Sequence, residues 1–230
     1  MVNRSFKQET RFIVFTDLDA TLLDKHSYDW AHATPALKML ENKGAELVLS
    51  SSKTFSELCY FAGKLGTQAP FIGENGGVLA IPNSHPISRQ IPDEPNHQGY
   101  RTLTNGLSRD RILLAIATLR DEFGFRLQGF SDWSALELGQ LTGLSVAQAE
   151  RALRRQVSEP ILWQDSPSQF VMFEREVERR GMKVIRGGRF LHLMGQTDKA
   201  DAMKQLLESV SYTHLRAHET LRYRVLRLLG

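Results

Sequence analysis

The sequence predicts an α/β fold, with a Rossmann-like parallel sheet as the core and an inserted α+β cap domain. Short apolar runs alternate with helical patterns over residues 11–82, a rhythm typical of parallel strands with helices on both sheet faces. A proline-rich stretch then leads into a segment with apolar positions of its own. The 230 residues, 41% of them hydrophobic, suffice to bury such a core.

Each predicted element carries a local signal. Residues 11–16 (RFIVFT) are branched and aromatic, as in a buried strand. Pro35 suits the first turn of a helix that ends at Gly44. Gly66 marks the end of the next helix, and Ser145 marks the start of a later one. The remaining elements follow from apolar spacing: strands in 45–54, 69–77, 78–82, 159–164 and 182–195, and helices in 56–66, 109–123, 145–156, 168–181 and 197–210.

The order of these elements divides the chain into segments. Residues 82–105 contain four prolines and are interpreted as a linker between core and cap. The predicted segments are the first part of the core domain (1–85), the cap (86–195), the return to the core (196–209) and a non-native tail (210–230).

Composition excludes several classes of protein. The 29 basic and 26 acidic residues nearly balance, and four arginines among the last 15 residues account for the excess, so a nucleic-acid partner is not expected. Cys59 is the only cysteine, which fits a reducing compartment and excludes an internal disulfide. No apolar stretch is long enough for a bilayer. We expect a cytoplasmic protein without a membrane partner, and nothing in the sequence specifies an oligomeric state.

Polar residues follow the ends of several predicted strands. Asp17 and Asp19 follow the first strand, Ser51 lies at the end of the second, and Glu74 follows the third. The carboxyl ends of parallel strands share one sheet edge, where active sites of open α/β sheets lie. Two adjacent carboxylates repel each other, and a divalent cation is the usual compensation; oxygen ligands favour Mg²⁺. A lone Asp-x-Asp is more typical of a solvated turn, but this pair follows a buried run and is joined by Thr21 and a hydroxyl-bearing strand end, which favours a site.

Three motifs together resemble the haloacid dehalogenase superfamily of phosphatases. These are DLDAT (17–21), LVLSSSKT (47–54) and the lysine of TDKADA (197–202). The further phrases ENGG, LTGLS, SEPILW and GGRFLHLMG narrow the resemblance to its mannosyl-3-phosphoglycerate phosphatase subfamily.

The resemblance implies a mechanism and a small phosphorylated sugar-glycerate substrate. Asp17 would be the nucleophile that forms an aspartyl-phosphate, and Asp19 the general acid and base. The Asp17 side chain and the Asp19 main-chain carbonyl would bind Mg²⁺. Ser51 would hydrogen-bond a phosphoryl oxygen, and Lys199 would offset the developing negative charge.

The predicted substrate-binding residues each have a plain alternative. Glu74 and Asn75 either contact the sugar or belong to an Asn-Gly turn. Arg189 and His192 either contact substrate from the cap, the arginine on the glycerate carboxylate, or are a surface arginine and a satisfied histidine. Glu159 either accepts sugar hydroxyls or is solvated. Three arginines of the helix at 145–156 are expected to form a solvated face: Arg151, Arg154 and Arg155.

The stretch VSYTHLRAHET (210–220) reads as translated transposon-adapter DNA over all eleven codons, so residues from about 210 are expected to be non-native. The superfamily's fourth motif, an acidic pair that completes the metal shell, does not occur after Val210, where Glu219 is the only acid. We therefore expect impaired turnover, and a sheet with an unpaired edge and exposed apolar surface.

Other functions compete with this one. Within the same class, the alternatives are a phosphatase for another sugar phosphate and a phosphomutase. From other classes, a metal-dependent nucleotide-sugar glycosyltransferase also uses an Asp-x-Asp pair but does not need Ser51 or Lys199, and the last alternative is a catalytically dead binding module.

Overall fold

The computed structural model describes residues 12–19, 21–24, 29–91, 99–216 and 224–228, with side chains through residue 210. The strands are β1 (Phe12–Thr16), β2 (Glu46–Ser50), β3 (Phe71–Gly73), β4 (Val78–Pro82), β5 (Tyr100–Thr104), β6 (Leu127–Gly129), β7 (Ser158–Trp163), β8 (Met182–Arg186), β9 (Leu191–Gly195) and β10 (Arg224–Leu228). The α-helices are α1 (Thr34–Asn42), α2 (Phe55–Leu65), α3 (Arg109–Phe123), α4 (Ala135–Thr142), α5 (Val146–Leu153), α6 (Pro167–Arg179) and α7 (Lys199–Arg216). Short 3-10 helices include Glu74–Gly76 and Pro86–Gln90.

The first sheet has the strand order β10-β1-β2-β3-β4-β5. Strands β10, β1, β2 and β3 run parallel, whereas β4 and β5 are antiparallel to their neighbours. Buried side chains cover both faces, with Ala202 and Leu206 of α7 on one face and Phe55 and Leu58 of α2 on the other. The predicted α/β fold with a parallel core is therefore confirmed.

The chain from α3 to β9, residues 109–195, which we call the inserted unit, carries a second sheet of order β6-β7-β9-β8. All pairs in this sheet are antiparallel. Helices α3 and α6 pack on it through Ile112, Leu119, Phe173 and Val177, which are buried with Leu193 of β9. Helices α4 and α5 form a separate small cluster that contains Leu138 and Ala149. The predicted α+β character of this segment is confirmed.

One local prediction was wrong. Residues 82–105 are not a plain linker, because β5 extends the first sheet by pairing with β4 from Val78↔Thr104 to Pro82↔Tyr100. Within this stretch, residues 92–98 lie outside the described part. Beside β1, the sheet is extended by β10, which lies parallel to β1 with Phe12 opposite Arg224 and is the edge strand on that side. In the described residues, no helix has the length and apolar character that a membrane crossing needs.

Candidate active site

Two carboxylate–lysine pairs lie at the carboxyl end of β1. The Lys199 Nζ atom lies 2.7 Å from Asp17 Oδ2, although the two residues are 182 positions apart. The Lys53 Nζ atom lies 2.9 Å from Asp19 Oδ1. The other oxygen of Asp17 accepts a hydrogen bond from the amide of Leu18 at 2.8 Å. Each acid of the pair is thus oriented by its own cation, and both side chains keep access to solvent, 42% for Asp17 and 46% for Asp19.

The parallel register explains why Ser51 lies beside this pair. Thr16 of β1 is opposite Leu49 of β2, so Asp17 and Ser51 both follow the ends of paired neighbouring strands. Ser51 is completely buried, and its amide donates to Ile72 of β3 at 2.9 Å. The amide of Asn75 in turn donates to the Ser51 carbonyl at 3.1 Å. The sheet edge therefore brings together the predicted residues Asp17, Asp19, Ser51 and Asn75.

A glycine allows α7 to deliver Lys199 to the same edge. Gly76 has φ +100, and a Cβ atom there would lie 2.0 Å from the Asp198 carbonyl oxygen, closer than any side chain permits. The Asp198 carboxylate accepts from the Asp201 amide at 2.9 Å and caps the start of α7. The Asn-Gly pair thus forms the β3–β4 turn, as one of the two interpretations proposed, and also provides the surface against which α7 begins.

Asn75, which follows Glu74 in the β3–β4 turn, has a buried side-chain group without a partner among the described residues. Its backbone is left-handed, with φ 56, and its side-chain Nδ2 is buried without a hydrogen-bond partner among the described residues. A buried amide N–H without a partner costs free energy that a ligand oxygen would relieve. The geometry is therefore consistent with the predicted substrate contact of Asn75, which stays a prediction.

Glu74 has a different environment from the one expected of a sugar ligand. It is completely buried, and its carboxylate accepts from the amides of Gln156 and Val157 at 2.8 and 3.1 Å and from the Ser158 hydroxyl at 2.6 Å. Both oxygens are thereby engaged by the inserted unit. The structure places Glu74 as a strut between the two sheets, so a sugar contact would have to displace these donors.

Glu159 is neither solvated nor open to a sugar. It is completely buried, and its Oε2 atom lies 2.8 Å from Arg109 Nε while Oε1 accepts from the Ser131 amide at 2.7 Å. Removing water from a carboxylate is costly unless it is paired, and this pairing supplies the compensation. The solvated interpretation of Glu159 is therefore wrong, and its predicted substrate contact competes with a buried ion pair.

Arg189 and His192 lie in contrasting environments. Arg189 is exposed in the β8–β9 turn, where its Nη1 atom donates to the Leu141 carbonyl. His192 on β9 is mostly buried, and its Nδ1 atom has no hydrogen-bond partner among the described residues, so it is not the satisfied histidine of one interpretation. Burial lowers the pKa of His192 most, the positive charges of Arg155 and Lys199 lower it further, and the resulting value is about 3. The imidazole is therefore neutral near pH 7.

Two basic residues of this region were missed. Lys53 directly precedes the capping box of α2, in which Thr54 and Glu57 bind each other's amides, and this motif could have located Lys53 at the strand end. Arg155 was expected on a solvated helix face, but α5 ends at Leu153. Arg155 is half-buried and donates to the Ser52 carbonyl at 3.3 Å and to Ser158 Oγ at 2.9 Å. No local pattern could have shown that contact, because it joins the two sheets.

Comparison with known proteins shows the family of this chain. Residues 14–114 match the family model described as haloacid dehalogenase-like hydrolase. A glucosyl-3-phosphoglycerate/mannosyl-3-phosphoglycerate phosphatase from Methanococcoides burtonii is 33% identical over 198 residues, which cover 86% of this chain and 72% of that protein.

Solved structures show the same fold. Protein 0175 of Thermoplasma acidophilum has a TM-score of 0.59 at 17% identity, covering 94% of this chain and 84% of that one. A haloacid dehalogenase-like hydrolase from B. subtilis has a TM-score of 0.56 at 14% identity, covering 86% and 79%. The chain therefore belongs to the haloacid dehalogenase-like hydrolases, and within them to the phosphatases that hydrolyse phosphoric monoesters.

Proposed function

We propose that this phosphatase hydrolyses mannosyl-3-phosphoglycerate, or a closely similar glycosyl-3-phosphoglycerate, to the glycosylglycerate and phosphate. The activity named for the Methanococcoides burtonii relative supports the substrate class. The observation that supports the chemistry is the 2.7 Å contact between Asp17 and Lys199, a carboxylate beside a cation at the sheet edge. A glycosyltransferase would not need this pair.

The reaction proceeds in two displacements. An Asp17 oxygen attacks phosphorus, the P–O bond to glycerate breaks, and Asp19 gives its proton to the leaving alkoxide. Asp19 then takes a proton from water, which attacks phosphorus, releases phosphate and restores the Asp17 carboxylate. Lys199 and the Ser51 hydroxyl stabilise the charge on the phosphoryl oxygens. The Lys53 contact at 2.9 Å holds the Asp19 carboxylate for both proton transfers.

The oxygen donors at this edge suit Mg²⁺, which binds carboxylates and carbonyls and retains several waters. The Asp17 carboxylate and the Asp19 main-chain carbonyl would hold it. Within the described residues, no group of three or more Asp, Glu, His or Cys side chains is arranged to bind a metal ion. Bound there, Mg²⁺ would neutralise phosphoryl charge. Calorimetric titration with MgCl₂ measures this affinity without turnover, and Asp17→Asn should weaken it at least tenfold.

Beryllofluoride, which mimics an aspartyl-phosphate, tests the nucleophile. In the presence of Mg²⁺ we expect a protein-bound ¹⁹F resonance for the unmodified chain and none for Asp17→Asn. The exposed residue Asp110 in the first turn of α3 provides the control Asp110→Asn, which should keep the resonance. An adduct that survives Asp17→Asn would remove Asp17 from this role.

A panel of phosphate esters tests the substrate class. We expect the highest kcat/KM for mannosyl-3-phosphoglycerate or its glucosyl analogue, above sucrose phosphate, trehalose phosphate and hexose phosphates. Equal rates on all of these esters would contradict the proposed substrate, and tight binding of a nucleotide sugar would favour a transferase. Impaired turnover stays a prediction, which the absolute rates from this panel also test.

A further inference from the structure

Arg155 lies between the inserted unit and the sheet edge that carries Asp17 and Ser51. Its Nη1 atom donates to the carbonyl of Ser52, the residue after Ser51, at 3.3 Å, and to the Ser158 hydroxyl on β7 at 2.9 Å. Its guanidinium also lies 5.5 Å from the centre of the Phe130 ring. The side chain is therefore held in one orientation by contacts from both sides of the site.

This cation differs from its neighbours in lacking an acidic partner. Lys53, Lys199 and Arg109 lie 2.9, 2.7 and 2.8 Å from carboxylate oxygens. Arg155 forms no ion pair with any described residue, and its Nε atom is buried without a hydrogen-bond partner. The carboxylate of Glu74 is reached only through Ser158, whose hydroxyl donates to it at 2.6 Å. A desolvated N–H beside an unpaired positive charge is a costly arrangement that a bound anion would compensate.

Backbone contacts place this charge near the reacting groups. The Ser52 carbonyl that accepts from Arg155 belongs to the residue after Ser51, and the Ser51 carbonyl accepts from the Asn75 amide at the same sheet edge. Under the proposed function, Lys199 and Ser51 already bind the phosphoryl oxygens. A second cation at this edge therefore fits a second negative charge on the same substrate.

We propose that Arg155 binds the carboxylate of the substrate's phosphoglycerate portion and thereby selects acidic phosphate esters over neutral sugar phosphates. This inference rests on the proposed function and specifies its carboxylate-binding residue. Arg155 takes the role that the sequence assigned to Arg189, which is exposed in the β8–β9 turn and donates to Leu141. A guanidinium suits the task because its planar fork of N–H groups matches the two oxygens of a carboxylate.

Two small probes separate the carboxylate from the phosphate. 3-Phosphoglycerate carries both groups, glycerol 3-phosphate lacks the carboxylate, and inorganic phosphate reports on the phosphoryl site alone. Calorimetry should show that the unmodified chain binds 3-phosphoglycerate at least tenfold more tightly than glycerol 3-phosphate. Arg155→Gln should weaken 3-phosphoglycerate binding by about 10–100-fold, as expected for the loss of a charge-assisted hydrogen bond. The other two probes should change less than threefold.

Matched variants distinguish a carboxylate contact of Arg155 from a phosphate contact. Arg189→Gln should leave the discrimination unchanged, and Arg155→Lys should retain part of it, because it keeps the charge but loses the fork. If Arg155→Gln does not fold, the ratio is measured on Arg155→Lys, where an unchanged ratio would overturn the proposal. An equal loss for all three probes would show that Arg155 binds the phosphate instead. That outcome would also overturn the proposal. Failure of the proposed function is separate, because it appears in the unmodified chain's hydrolysis of the ester panel.

Discussion

The Ser158 hydroxyl donates to the Glu74 carboxylate across the two sheets, with 2.6 Å between oxygens. Glu74 follows β3 in the first sheet, whereas Ser158 begins β7 in the inserted unit. Glu74 and Asn75 adopt left-handed backbone angles, with φ 47 and 56, which cost about 1 kcal/mol per residue outside glycine. Hydrogen bonds from Gln156, Val157 and Ser158 hold this conformation. The inserted unit is thereby fixed to the turn that also contacts the start of α7.

The first prediction is that Glu74→Gln destabilises the fold. An amide of similar size places an NH₂ group against donors that need an acceptor, so at least one buried hydrogen bond is lost. We expect the free energy of unfolding to fall by about 2–4 kcal/mol. Urea denaturation followed by tryptophan fluorescence measures it, since Trp163 lies in the inserted unit.

The control for this change is Glu41→Gln in α1, where the side chain is exposed. Its unfolding free energy should shift by no more than about 0.5 kcal/mol. If Glu74→Gln were as mild as this control, the strut between the two sheets would contribute little to stability. Activity should fall as well, because Asn75 and Ser51 are held by the same turn.

The catalytic candidates could be predicted from the sequence because their signals are local. Asp17 and Asp19 follow a short buried strand and Ser51 follows another, whereas only the family resemblance pointed to Lys199. Parallel strands place such residues at a common edge without any knowledge of long-range contacts. That edge is what the structure shows.

The partners of Glu74, Glu159 and Arg155 could not be predicted in the same way. Each contact joins residues of separate elements: Glu74 to Gln156, Glu159 to Arg109 and Arg155 to Ser52. A charged residue alone looks solvated in a sequence, and only tertiary packing shows that it is buried. The prolines of 82–105 misled in a similar way, since Pro82 ends β4 at a position that still pairs with Tyr100.

Lys53 carries the second prediction. Its side chain is 12% exposed and it orients Asp19, the proposed general acid. Lys53→Met removes this orientation. We expect kcat/KM for mannosyl-3-phosphoglycerate, whose leaving group is an alkoxide, to fall by about 10–100-fold. The loss should be smaller for p-nitrophenyl phosphate, because its leaving group needs little help from an acid.

The matched control is Lys64→Met on α2, where the ammonium lies 5.6 Å from the Tyr60 ring and is remote in sequence from the acid pair. This variant should keep near-normal rates on both esters. An equal loss on both esters in Lys53→Met would show that the lysine acts on the phosphoryl group rather than through Asp19. Circular dichroism of the three proteins checks that α2 still forms.

The third prediction concerns stability against pH. Burial, followed by Arg155 and Lys199, lowers the pKa of His192 to about 3, whereas an unfolded chain has the ordinary value near 6.5. As pH falls below about 6.5, the unfolded state binds a proton that the folded state does not accept until about pH 3. The free energy of unfolding therefore decreases as the pH is lowered through this window, and it recovers as the pH rises.

Replacing the histidine should remove this dependence. Between pH 6.5 and 5, the unmodified chain should lose about 1–2 kcal/mol more unfolding free energy than His192→Gln does, as linkage requires for one proton. His32 is exposed, so His32→Gln should follow the unmodified chain across the same range. Urea titrations at each pH measure the difference. If His192→Gln and the unmodified chain had parallel pH profiles, the imidazole would be taking up a proton in the folded state, and the cations that surround it would have to lie farther away.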